Sequence, residues 1–190
     1  MRDYRLYVAL GDSILSDDYP GPGYGAAALL AAQLKPIPHE LKARTGFTVP
    51  DVLKSMDALK PHAGPVLVIL TVGGNDLLLN GAGDLQRGLR QIEQRLKALY
   101  PDHELLVGNL YDPTEGTGRV QSDEWRGTPP RPELIQALRR VNATLEAGPG
   151  KTVALYTLFQ GHAREWIMRD IEPNRDGARA IADAFWRAVP

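Results

Sequence analysis

The chain of 190 residues contains no cysteine, which excludes disulfides, thiolate metal sites and thiol catalysis together. It also lacks an excess of either charge. Lys and Arg total 22 against 23 Asp and Glu, a formal net charge of −1. No basic stripe interrupts that balance, so nucleic acid is not an expected partner. Long apolar runs are missing too, and no stretch approaches the roughly 20 residues that span a bilayer. The N-terminal run Met1-Arg2-Asp3-Tyr4-Arg5 is charged and carries no apolar h-region of a secretory signal. A cytoplasmic protein is the expectation, although a processed mature chain would read the same way. No His or acidic residues fall at ligand spacing, so neither a metal nor another cofactor is expected. Oligomeric state is not legible.

The apolar share is an ordinary 43%, and the length suits one domain over residues 1–190. Apolar runs of strand length occur at Tyr4–Leu10, Val66–Val72, Glu104–Leu110 and Thr152–Leu158, with a weaker one at His39–Arg44. Segments of helical period separate them: Tyr24–Leu34, Val49–Leu59, Asp84–Tyr100, Arg131–Glu146 and Asn174–Ala188. In the third, Leu85, Leu89, Ile92, Leu96 and Leu99 form a stripe at spacings of three and four. Doubly apolar strands alternating with helices predict a parallel sheet covered on both faces. Two long loops, Ile14–Gly23 and Tyr111–Pro130, both follow strands and therefore share the carboxyl edge, where open α/β sheets build their sites.

Two motifs stand at that edge. Gly11-Asp12-Ser13 follows the first strand, so a serine hydroxyl sits at a tight loop with free backbone N–H groups beside it. Acyl transfer needs a nucleophile and an oxyanion donor fixed together in this way. Gly73-Gly74-Asn75-Asp76 follows the strand Val66–Val72. Its glycines allow a sharp turn and close approach, and the Asn75 amide is a neutral donor suited to an oxyanion.

In this order and placement the two motifs resemble the GDSL/SGNH hydrolases, serine esterases, lipases and deacetylases. Thr45-Gly46-Phe47-Thr48 looks like that family's second block. The resemblance implies a flavodoxin-like three-layer α/β sandwich with a five-stranded parallel sheet. It also implies three oxyanion donors: the Ser13 N–H, the Gly46 N–H and the Asn75 side chain. The family's last motif is Asp-x-x-His followed by Pro-Asn. Here the chain reads Arg169-Asp170-Ile171-Glu172-Pro173-Asn174, with Glu172 at the base's position and Arg169 at that of the supporting Asp.

A base must therefore be sought elsewhere. His39, His62 and His103 begin or precede strands and belong to the amino edge, whereas His162 follows the last apolar run and shares the edge with Ser13. His162 is the expected base, oriented by Glu172, with Glu165 and Asp170 as alternative carboxylates. A less typical branch of the family looks similar in pairing a Gly-His after the last strand with Glu-Pro-Asn. Asp12 and Asp76 are expected to fix their own loops, and Asp17-Asp18-Tyr19-Pro20-Gly21 forms either a pocket rim or a solvated turn. The loop Tyr111–Gly116 is a candidate acyl-pocket wall, while Trp125 and Trp166 are either core or stacking surfaces.

These features predict a serine hydrolase that cleaves small-molecule carboxylic esters through an acyl-enzyme. A non-catalytic binding protein on the same fold and an acyltransferase to a sugar or peptide are the rivals. The short chain offers no obvious helical cap, which fits a shallow site for small acyl groups or acetylated sugars.

Overall fold

Strand-forming runs that are apolar on both faces have to be buried on both, and β1 (Leu6–Gly11) and β3 (Val66–Thr71) are buried along nearly their whole length. With β2 (His39–Ala43), β4 (His103–Gly108) and β5 (Lys151–Val153) they make a five-stranded sheet in the order β2-β1-β3-β4-β5. Every pairing is parallel. The computed structural model describes residues 2–34, 36–80, 83–118 and 132–190.

Helices cover the sheet in two groups. Helix α1 (Ala26–Gln33) packs on the C-terminal α8 (Arg175–Ala188). Helix α2 (Val49–Ser55), followed by a single 3₁₀ turn, packs on α4 (Leu85–Leu99), which in turn packs on α5 (Pro132–Glu146). The expected stripe on α4 faces inward, with Leu85, Leu89, Ile92 and Leu96 all buried. This is the flavodoxin-like α/β sandwich. Among the described residues no helix is long and apolar enough to cross a membrane.

Three departures from expectation concern the site. A short helix, α3 (Gly74–Asn80), begins inside the Gly-Gly-Asn-Asp motif. The last strand stops at Val153, and Leu155–Leu158 forms a helical turn, α6, in place of strand. Asn109 ends the ladder there, because its N–H donates to Val153 O and its Oδ1 accepts from Tyr156 N. Beyond α6, the short helix α7 (Ala163–Trp166) leads into a two-stranded hairpin, β6 (Ile167–Met168) with β7 (Glu172–Pro173).

The order 2-1-3-4-5 reverses direction between β1 and β3, and the crevice outside the carboxyl ends of those strands is where such sheets bind ligands. The motifs that carry Ser13 and Asn75 flank that crevice. Gly11 has φ 154°, and a Cβ there would lie 2.5 Å from Thr71 O, so only glycine lets the two strand ends approach so closely.

One buried side chain holds the far wall. Asn142 on α5 accepts from Leu110 N and donates to Leu110 O, each at 2.8 Å. Asn142→Ala leaves two buried backbone groups unpaired and should cost about 2–4 kcal/mol of stability by urea unfolding. A loss below about 1 kcal/mol would show that water replaces both contacts.

Candidate active site

The loop after β1 is built around Asp12. This buried carboxylate accepts through Oδ1 from Ile14 N at 3.1 Å and from Thr71 Oγ1 at 2.8 Å, tying the serine loop to β3. Desolvation pushes its pKa up to about 6, against the lowering effect of those two bonds. Ser13 follows, buried, with no backbone acceptor for its N–H among the described residues.

The second block is a turn in which Phe47 N donates to Arg44 O, with Gly46 at φ 80° in the third position. That position of a type II turn favours glycine. The Gly46 N–H donates no hydrogen bond among the described residues. Asp18 pins the turn, its Oδ2 accepting from Thr45 N at 2.9 Å and Thr45 Oγ1 at 2.7 Å, bonds that lower its pKa. Asn75 reaches the same turn, donating from Nδ2 to Phe47 O at 3.0 Å and keeping its second amide N–H. Asp76 accepts from Val49 N, the first residue of α2, at 3.1 Å. That bond crosses to the neighbouring loop.

The Pro-Asn motif explains where Glu172 sits. Asn174 caps α8, its Oδ1 accepting from Asp176 N and Gly177 N at 3.0 Å, while its Nδ2 donates to Glu165 O. A Cβ at Gly177 would lie 2.4 Å from Trp166 O, so that glycine lets α8 close on the segment before the hairpin. Glu172 is thereby buried at the carboxyl edge of the sheet. Its carboxylate faces the Ser13 hydroxyl and also that of Tyr19. Desolvation raises its pKa, and the two hydroxyls and the Arg169 guanidinium oppose that rise. Glu172 Oε2 is buried yet closes no hydrogen bond of good geometry.

His162 is turned elsewhere. Its ring stacks on Trp166 with centroids 4.1 Å apart and planes 8° from parallel, and Nδ1 lies 3.4 Å from Glu165 Oε2. The side chain is 45% exposed. Its hydrogen-bond and ring contacts are thus with Glu165 and Trp166, and the expected hydrogen-bonded chain from Ser13 through His162 to Glu172 is not formed in this arrangement. Trp166 and Glu165 lie four and three residues along from His162 and capture the imidazole locally, which leaves Glu172 itself facing the serine. Trp166 also meets Phe159 edge-on at 5.3 Å, and Phe159 stacks on Tyr111 at 4.1 Å, so it packs toward the core while its other face takes His162. Trp125 lies outside the described residues.

The sequence reading named Tyr19 and Arg169 by position but gave neither a part in holding Glu172. Arg169 has φ 51°, a left-handed conformation rare for a non-glycine residue, and its guanidinium lies 5.3 Å over the Tyr19 ring. The signal available for both was their nearness to motif residues, with no chemistry of their own to mark them. Among the described residues no group of three or more His, Asp or Glu converges as a metal site.

Residues 9–180 match the GDSL-like lipase/acylhydrolase family. No curated protein matches the sequence. Among solved structures, an extracellular lipase from Streptomyces rimosus is similar with TM-score 0.73 and 18% identity, over 97% of this chain and 99% of that one. A member of the lipolytic G-D-S-L family from Veillonella parvula DSM 2008 gives 0.69 and 19%, over 96% of each chain. An acetylxylan esterase from Geobacillus stearothermophilus gives 0.64 and 19%, over 96% and 93%. At such identities the likeness establishes the fold, whereas the sequence match covers most of the chain and establishes the family. The chain belongs to the GDSL-like lipase/acylhydrolase family and is a carboxylic ester hydrolase of the serine type.

Proposed function

We propose that this single domain hydrolyses small-molecule esters with Ser13 as nucleophile and Glu172, rather than His162, as general base. The observation carrying this reading is the Glu172 carboxylate facing the Ser13 hydroxyl with an unpartnered buried oxygen. A buried acceptor without a partner is costly, and sites of chemistry are where such groups persist. Glu172 takes the Ser13 proton as Oγ attacks the carbonyl carbon, and the C=O π electrons move onto oxygen. The Ser13 N–H, the Gly46 N–H and the free Asn75 amide N–H are the donors for that oxyanion. Collapse expels the alcohol, which takes its proton from Glu172 and leaves the acyl group on Ser13. Water attacks next, Glu172 again taking and returning the proton, and carboxylic acid leaves. The weak net charge supports a small ester rather than nucleic acid as partner.

The oxyanion assignment has its own test. Asn75→Ala should lower kcat by roughly 10²–10³ with little change in KM, because the donor acts chiefly in the transition state. A loss confined to KM would assign Asn75 to substrate binding instead.

A further inference from the structure

We propose that the cavity beside Ser13 is an acyl-chain pocket sized for a straight chain of about six carbons, so that hexanoyl-type esters, not acetyl esters, are the preferred substrates. This rests on Ser13 as the nucleophile. The cavity has a volume of about 150 Å³ and includes Ser13 and Asn75 in its wall. Leu77, Leu110, Tyr111, Leu134, Ile135 and Leu138 belong to its apolar lining. An apolar cavity of about 150 Å³ in a protein core admits benzene, which sets the capacity near six carbons.

Its polar neighbours are turned on one another. Asp112 Oδ1 accepts from Thr114 N at 2.8 Å and Thr114 Oγ1 at 2.6 Å, and Oδ2 accepts from Gly116 N at 2.8 Å. A sugar hydroxyl entering there would lose water and gain few partners, whereas a methylene would gain burial. The expected fit to acetylated sugars is thus not what this wall favours.

Geometry also decides which arm of the ester enters. The departing alcohol oxygen must reach Glu172 for its proton, and Glu172 is not part of the cavity wall, whereas the oxyanion donor Asn75 is. The arm beyond the carbonyl carbon on the cavity side is therefore the acyl chain.

The test is kcat/KM of the full chain on p-nitrophenyl acetate, butyrate, hexanoate and decanoate. Each added methylene should raise kcat/KM about four-fold up to hexanoate, about 250-fold in total from acetate, with no further gain at decanoate. Ile135→Trp, which fills the cavity, should lower the hexanoate-to-acetate ratio at least about ten-fold. Leu134→Phe is the milder variant and should move the ratio the same way. A wild-type profile that is flat or best on acetate, with Ser13 still labelled by a fluorophosphonate, overturns the acyl pocket alone. Absence of both labelling and turnover overturns the serine reading and the pocket with it.

Discussion

Ser13→Ala is expected to fold normally and to lose at least about 10³-fold in kcat/KM on an activated aryl ester. The loop does not depend on the hydroxyl for its shape. Asp12 fixes it through Ile14 N and Thr71 Oγ1, and Gly11 seats it against Thr71. The thermal midpoint should therefore change by only a few degrees. What disappears is the covalent step, and with it the burst of p-nitrophenol that marks acyl-enzyme formation. Residual turnover from oxyanion donors and substrate positioning alone should remain above background. A pure, folded Ser13→Ala protein with unchanged turnover would remove Ser13 from the mechanism. The cleft would then act through another nucleophile or serve only to bind.

Much of this was legible in the chain because each piece had a local physical cause. The strands β1 and β3 announced themselves by apolar faces on both sides, and α4 by a stripe at helical spacing. The serine and asparagine loops could be placed at one edge because parallel strands order their ends. The last strand misled, since the run from Thr152 to Leu158 is mostly apolar and uncharged and periodicity cannot separate a short buried strand from a helical turn. Asn109, a residue of the neighbouring strand's exit, makes that choice through bonds to Val153 and Tyr156. Asp18 read as part of either a pocket rim or a solvated turn, and neither reading showed that it holds the Gly46 turn from 27 residues away. The choice of base turned on a different conflict. Histidine is the better proton acceptor near neutral pH, and that chemical preference outweighed the motif position, which already put Glu172 where the family keeps its base. Trp166 and Glu165, both within one helical turn of His162, were visible as its competitors for the imidazole.

Glu172→Gln should separate the two candidate bases. Gln keeps the shape and can still meet the Ser13 and Tyr19 hydroxyls, so the fold and KM should hold while kcat falls by about 10²–10⁴, the range of a lost general base. Combined with Ser13→Ala it should cost little more than Ser13→Ala alone, because the two groups act as one unit. His162→Ala should cost less than ten-fold. The pH profile carries the same information with a definite sign. Desolvation raises the Glu172 pKa, so the protonated, inactive form persists to higher pH than for an ordinary glutamate. Activity should be present above that raised pKa and be lost as pH falls through it. Burial also pushes the Asp12 pKa up, to about 6, beside the same serine, so the midpoint of the acid limb does not by itself name the group. Its disappearance in Glu172→Gln does, whereas a limb that survives the substitution belongs to another carboxylate raised by burial, Asp12 or Asp76. If His162→Ala instead matches Ser13→Ala and Glu172→Gln is mild, the imidazole leaves Trp166 to reach the serine during turnover. Glu172 then returns to the orienting role.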